Sequence, residues 1–506
     1  MRKSGIFSAA SLLAGSCVLA LAAQSDAALA AKGLQIQHNS LVVSTTSYDK
    51  TQGAIANLTV GATVLAKSNT ATSLAVADNG YVNVWNNGSA DGNFSVTAAI
   101  TLLDVNPGSG TVRHTILVPS SQVVGSFSSK SEGGLHVTND ASGLHIVFMG
   151  YGKAGVGALD VSNSDAVAGQ DPTNPVTFAF GSNYAFPRTI VSMDALGNFK
   201  YTPTLAYGGD NPRNALLGSN GLYYAVGNSN AGNASTFGAG NGTNPDVTTT
   251  TGLEAVNPID AASASAAIPA NNSAEVNAGL QFTVNGKLDK AGKDTNFRGL
   301  AEFGGALYFT KGSGSNGIDT VYTVPGLPTV ANAGATAISV VPGFPTDFAK
   351  VSGGDYTPFG IFFADANTMY VADEGAGNST DATTHAGLQK WSLVNGTWQL
   401  DYVLRNGLVG VVDAGLNGPD GQYPDVTTTG LRNLTGHVNA NGVVTLWATT
   451  ATTSSSGDVG ANPNRVVKIN DVLAATTIPR QVAKQAFKTI LGPKYGTVYR
   501  GVAYAQ

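Results

Sequence analysis

The chain is nearly without cysteine and short of charge. Its 506 residues hold one cysteine, Cys17, which leaves no material for a disulfide framework or a cysteine-ligated zinc site. Charged residues make up 12% of the chain, about half the usual share. Lys and Arg never gather into a run, so the sequence offers neither a nucleic-acid footprint nor a polybasic membrane patch. Beyond the N-terminus no stretch is long and apolar enough to span a bilayer. The catalytic signatures with known mechanics are also missing: no G-x-S-x-G elbow, Walker loop, strand-linked G-x-G-x-x-G, H-x-H or H-E-x-x-H occurs. The histidines (His38, His114, His136, His145, His385, His437) are scattered, and no dedicated zinc site is expected from them.

The extreme N-terminus does carry a signal. Arg2 and Lys3 precede an apolar stretch from Ile6 to about Ala23, and small-x-small sites follow at Ala20-Leu21-Ala22 and Ala28-Leu29-Ala30. This is the pattern of a cleaved secretory signal; the stretch is too short and too rich in Ala and Ser for an anchor helix. The expected layout is a signal peptide over 1–30 and one domain over 31–506, secreted or periplasmic. Cleavage removes Cys17 and with it any thiol nucleophile.

The remainder is rich in Gly, with 63, and alternates short Val/Ile/Leu/Tyr/Phe/Thr runs with Gly/Asn/Asp/Ser turns, which describes an antiparallel all-β protein. The runs repeat. One type begins at Ser40, Tyr81, Leu144, Leu222, Leu307, Met369 and Val443; a second follows at Ala54, Thr101, Gly157, Gly252, Gly317, Gly387 and Arg465. A third precedes the first type at Thr72, Gly133, Arg213, Arg298, Phe359 and Arg432. Its missing member, before Ser40, occurs at the far end as "RGVAYAQ" from Arg500. A repeat split between the two ends is what a ring needs to seal itself and leave no open sheet edge. The sequence thus predicts a seven-bladed β-propeller whose last blade is closed by the C-terminal strand pairing with N-terminal strands. Outer strands are expected at His114, Ala337 and Thr397, and a helix over Ile478–Leu491.

Aligning the starts of the inner strands gives a column Arg500, Thr72, Gly133, Arg213, Arg298, Phe359, Arg432, followed by a column of small residues, Gly501, Ser73, Gly134, Asn214, Gly299, Gly360 and Asn433. Crowding at the axis accounts for the small residues. The column with four Arg has acids just upstream: Glu132, Asp210, Asp294 and Asp355. Either each Arg pins neighbouring blades through an acid or strand-end carbonyls, or the column forms a cationic mouth for a carboxylate, phosphate or sulfate. A second motif, "PDVTTTTGL" from Pro245, returns as "PDVTTTGL" from Pro424 and loosely as "DATTHAGL" from Asp381. Asx-turn bonding by the Asp, extended Thr backbone and a Gly bend explain it as architecture. Asp246, Asp381 and Asp425 are the positions through which that face could instead touch a ligand or Ca²⁺, although no dense oxygen-ligand loop is present.

The stretch "TMYVADEGAGN", Thr368 to Asn378, resembles the "LYVADxGNxR" turn of NHL-type and YVTN-type propellers. The likeness covers about a dozen residues, lacks the Arg that ends the turn, and implies the fold rather than a function. The expectation is a propeller that binds a small anionic ligand or an extracellular partner on the face where inner strands begin. A lactonase-, esterase- or lyase-like propeller enzyme and a surface or matrix scaffold without a pocket are the alternatives. No motif names a cofactor.

Overall fold

The computed structural model describes residues 35–68, 71–76, 95–141, 143–159, 161–163, 186–208, 210–229, 250–269, 271–278, 280, 282–284, 287–288, 295–312, 316–349, 356–375, 385–418, 421–455 and 460–506. The signal expected over 1–30 lies outside them. Almost every element is an antiparallel strand, and no helix among the described residues is long and apolar enough to cross a membrane. The helix expected over Ile478–Leu491 reduces to one turn, Arg480–Ala483, followed by the strand Lys488–Leu491.

The arrangement is propeller-like. Four meanders stand as separate blades, with strands in chain order from the inside outward. They are Pro212–Leu217, Tyr223–Gly227, Gly252–Val256 and Ser273–Glu275; Leu300–Phe303, Ala306–Lys311, Thr320–Val324 and Ser339–Val340; Pro358–Asp365, Thr368–Asp373, Gly387–Val394 and Thr397–Leu404; and Val426–Val438, Val443–Ser454, Val466–Val472 and Lys488–Leu491. Two further four-stranded meanders share one larger sheet. In the first, Thr497–Ala505 pairs with Ser40–Ser47, which pairs with Thr97–Val105, which pairs with Val112–Leu117. In the second, His136–Asp140, Gly143–Gly152, Arg188–Asp194 and Phe199–Thr204 pair in turn. The strand Val123–Ser126 sews these two together.

Local chemistry explains the tight ends. Asn395 and Gly396 join two strands with φ of 51° and 80°, the left-handed pair that a two-residue hairpin of matching twist requires. Two second strands, Tyr223–Gly227 and Thr368–Asp373, are buried along their whole length, and the others along most of it. A strand covered on both faces reads as a continuous apolar or β-branched run rather than an alternating one.

The core is divided into wedges between neighbouring meanders. Val42, Ile146 and Val191 share one cluster and Met149, Ile190 and Ala225 the next. Tyr224, Leu253, Leu307 and Tyr322 form a third, and Val321, Ile361, Val371 and Trp391 a fourth. Tyr370, Leu388, Leu431 and Leu446 form a fifth, and Leu41, Val43, Trp447 and Tyr499 a sixth, which returns to the first meander. Successive inner strands touch in the same cyclic order.

The C-terminal strand closes the first meander as the split repeat requires, from Ser40↔Ala505 to Ser47↔Thr497. The second expected repeat is different. Ala54–Asn57 is a single 3-10 turn, and Thr72 belongs to a short hairpin of Val64–Ser68 with Ala71–Leu74. The strand at Tyr81 lies outside the described residues, and the strand at Thr101 belongs to the first meander. Ser40–Ser47 already has both edges filled, by Thr497–Ala505 and by Thr97–Val105, so nothing remains for a strand at Ala54 to pair with.

The small column has the steric cause expected of it. A Cβ on Gly299 would collide with the Phe359 carbonyl oxygen, one on Gly360 would lie 2.6 Å from the Arg432 carbonyl oxygen, and one on Gly501 2.5 Å from that of Gly133. Gly299→Ala is therefore expected to destabilise by about 1–3 kcal/mol through overpacking against backbone that cannot withdraw. Gly492→Ala, where a Cβ would meet nothing within 4 Å, is the control. Urea midpoints that fall equally for both would refute the steric account.

Candidate functional site

Inner strands all run away from one face. Connections from second to third strands, and from each outer strand to the next inner strand, therefore return to that face. The long connections 48–96, 153–187 and 228–251 are of this kind, whereas the other face is crossed by turns as short as 304–305 and 395–396. Arg213 and Arg298 stand at the start of their inner strands and so at the long-loop face, whereas Arg432 lies in the middle of Val426–Val438 and Arg500 inside Thr497–Ala505, because both strands begin earlier than the repeats suggest.

Its members are buried and their partners differ. Arg500 is spent on the frame: Nε donates to Thr46 Oγ1 at 2.9 Å, and Nη1 to the carbonyls of Ser129 at 2.6 Å and Gly460 at 3.0 Å. Nη2 donates to the Phe127 carbonyl. One side chain thus ties the first meander to the connection before the second and to that within the last. Arg213 Nη1 reaches the next meander, at the Phe297 carbonyl (3.0 Å) and Asn296 Oδ1. Burial brings its guanidinium down to about 10, with the charge of Arg298 acting the same way. Phe359 fills the column between Arg298 and Arg432, its ring 5.6 Å from the Arg298 guanidinium carbon.

Arg298 and Arg432 meet at one carboxylate. Glu374, directly after the second strand of its blade, accepts from Arg298 Nη1 at 2.7 Å, Arg432 Nε at 3.2 Å and Lys130 Nζ at 2.7 Å. Its backbone is held as well, by its N–H to the Thr357 carbonyl (3.1 Å) and by the Thr429 hydroxyl to its own carbonyl (2.9 Å). Burial opposes ionisation of Glu374, but the combined charges of Lys130, Arg298 and Arg432 prevail and hold its carboxyl well below the usual range. Lys130 is brought down to about 8, by burial first and then by the two guanidinium groups, against the pull of Glu374. Its side chain is 31% exposed, whereas those of Arg298, Arg432 and Glu374 are nearly closed off.

The upstream acids serve other groups. Glu132 accepts from the Ser126 N–H (3.0 Å), the Tyr151 hydroxyl (2.7 Å) and Asn211 Nδ2 (2.8 Å). Burial pushes its carboxyl up, against these bonds and the charge of Arg500. Asp210 accepts from the Asn211 N–H at 2.9 Å and from Asn228 Nδ2, while its carbonyl takes Arg188 Nη2 at 2.6 Å. Asp294, Asp355, Asp246 and Asp381 lie outside the described residues. Asp425 is exposed and accepts from the Gly415 N–H at 3.2 Å. The Thr run after Asp425 lies within the long strand Val426–Val438. Among the described residues no three His, Cys, Asp or Glu side chains are grouped to hold a metal ion.

Three contributors carry no mark in the sequence that sets them apart. Glu374 lies inside the stretch notable for its family likeness, Lys130 two residues before Glu132, and Arg188 at the head of a third strand, with no repeat partner to mark it.

No protein-family model matches the chain, and no curated protein matches it. Among solved structures it is similar to a GH43 beta-xylosidase/alpha-arabinofuranosidase from a compost microbial metagenome, at 14% identity over 61% of this chain and 84% of that one, with a TM-score of 0.31. It is similar to the cobalt-substituted apocarotenoid oxygenase of Synechocystis, at 9% identity over 81% and 71%, with a TM-score of 0.31. It is also similar to the N-terminal domain of Nup159, at 10% identity over 74% and 90%, with a TM-score of 0.25. Likeness this distant carries no argument about activity.

Proposed function

We propose that the protein is an exported β-propeller, a closed ring of six blades rather than seven, whose long-loop face binds a small anionic ligand. The binding centre in this reading is the Lys130–Arg298–Arg432–Glu374 cluster. One observation carries it: three cations converge on one carboxylate. Among these groups positive charge exceeds negative charge in a largely water-excluded place, where a carboxylate, phosphate or sulfate gains most from forked or charge-assisted donors. Lys130, the accessible member, is the group an incoming anion meets first. The ring of six draws support from the cyclic order of inner-strand contacts. Export draws support only from the composition of residues 1–30.

Calorimetric titration with inorganic phosphate and with sulfate tests the reading. Saturable binding is expected at low salt, weakening as ionic strength rises. Lys130→Gln should weaken it about tenfold, the order of one charge-assisted hydrogen bond. Because burial and the two guanidinium groups bring Lys130 down to about 8, affinity should hold below pH 7 and decline above pH 8. Lys130→Arg should flatten that decline. Absence of saturable binding by either anion at low salt, or a Lys130→Gln variant that binds as the wild type does, would sink the proposal.

A further inference from the structure

A second group of charges lies away from the mouth, between two blades. Glu254 and Glu275 stand directly opposite each other on neighbouring antiparallel strands, Gly252–Val256 and Ser273–Glu275. Residues opposed in this way share one face of the sheet and bring their side chains together. Glu254 is 0% exposed, and neither of its carboxylate oxygens has a hydrogen-bond partner of normal geometry among the described residues. Like charges placed opposite in a sheet repel, and a buried carboxylate without donors is among the costliest groups a fold can carry when ionised.

Among the described residues the surroundings supply no countercharge. Tyr207, from the connection 205–211, lies near and donates its hydroxyl to the Gly252 carbonyl at 3.2 Å. Arg213, on the inner strand, is turned to Asn296 and Phe297. Arg188, from the preceding meander, is committed to the carbonyls of Asp210 and Ser162. Asp210 is bonded by Asn211 and Asn228. No Lys or Arg forms an ion pair with either glutamate among the described residues. The apolar packing on the face of Ala225 comes from Val147, Met149 and Ile190 of the preceding meander.

We propose that Glu254 and Glu275 share protons across the sheet and make this blade interface a pH-sensitive joint, tight while the pair is protonated and loosened as it ionises. The electrostatics agree with the geometry. Burial and then the charge of Glu275 push the Glu254 carboxyl well above its usual range, against a hydrogen-bonding influence of Thr250. Burial pushes Glu275 up to about 7, against the Thr251 N–H. Carboxyls whose folded pKa is raised make the folded state the stronger proton binder, so stability is highest below the unfolded value near 4.5 and falls as pH rises toward 7 and beyond.

The test compares melting temperatures of the full-length wild type and Glu254→Gln from pH 5 to pH 8.5. The isosteric amide removes the charge and keeps the volume. Near pH 5 the two should melt together. At pH 8.5 the variant should melt higher by about 2–4 °C, and the difference should grow through pH 7. Should Glu254→Gln fail to fold at either pH, an ionised carboxylate is needed and the proposal fails. A variant that melts lower than wild type at pH 8.5 overturns it too, and wild-type melting that then falls with EDTA would reveal a cation between the glutamates. A difference that does not change with pH overturns it equally. Glu275→Gln provides the second arm and should show the same sign.

Discussion

Removing Tyr499–Gln506 is expected to abolish soluble folding. Those residues supply most of the inner strand of the first meander, including its partners for Ser40, Leu41, Val42, Val43 and Thr45. They also bring Tyr499 and Val502 to the cluster that joins the last blade to the first. Arg500 goes with them, and four backbone carbonyls from two connections lose their shared donor. A buried carbonyl left without a donor costs about 1–3 kcal/mol, so this loss alone approaches the whole stability of an ordinary domain. The truncated chain would also present Ser40–Ser47 as a bare apolar edge, a template for pairing with other copies. Soluble yield and the far-ultraviolet circular dichroism of whatever remains soluble are the measurements. A soluble truncated protein with the wild-type melting temperature would show that the ring does not depend on this strand.

The second large effect is expected at Glu374. Glu374→Gln leaves Arg298 and Arg432, both nearly closed off from water, and the partly exposed Lys130 facing one another with no carboxylate between them. Breaking a buried ion pair from one side costs about 3–5 kcal/mol, because the remaining charge is uncompensated. Adding Lys130→Met should recover part of the loss, since the two positions act through one network and their effects cannot be additive. The pH dependence has a definite sign. The Glu374 carboxyl is held below its usual range, so its contribution is fully present above the unfolded value near 4.5 and is lost as pH falls through the folded one. Urea denaturation at pH 7 and pH 4 should therefore find wild type and Glu374→Gln closer together at pH 4. A variant as stable as wild type at pH 7 would mean that the cluster does not hold these blades.

Of the seven inner strands expected from the repeats, six are legible in the sequence, at Gly133, Arg213, Arg298, Phe359, Arg432 and Arg500. Each carries its column residue near a crowded axis, and that crowding leaves a pattern of small residues one position later. The same pattern misleads at Thr72 and Ser73, because a short hairpin uses similar residues and alternation does not record which strand is the partner. Closure by the C-terminal strand is legible because a missing first piece and a surplus last piece are visible in the order of repeats alone. The charge centre is only half legible. Arg298 and Arg432 occupy a repeat position and stand out, whereas Glu374 and Lys130 come from single connections. Their convergence is a property of the folded arrangement, which no spacing along the chain encodes.

The pairing of Ser40–Ser47 with Thr497–Ala505 also sets an order in time. Thr46 and Arg500, which bond across it, are 454 positions apart. Every other inner strand finds its second strand within a turn or two, so those contacts are cheap to close and fast to form. The first meander must instead wait, three of its strands paired and its inner edge bare, until the strand Thr497–Ala505 arrives. Until then the later blades form an open arc, joined to one another by their shared wedges and by Glu374 but not to the first meander. Arg500 reaches its carbonyls on both sides of the gap only when the arc has bent far enough, so sealing and pinning happen in one step.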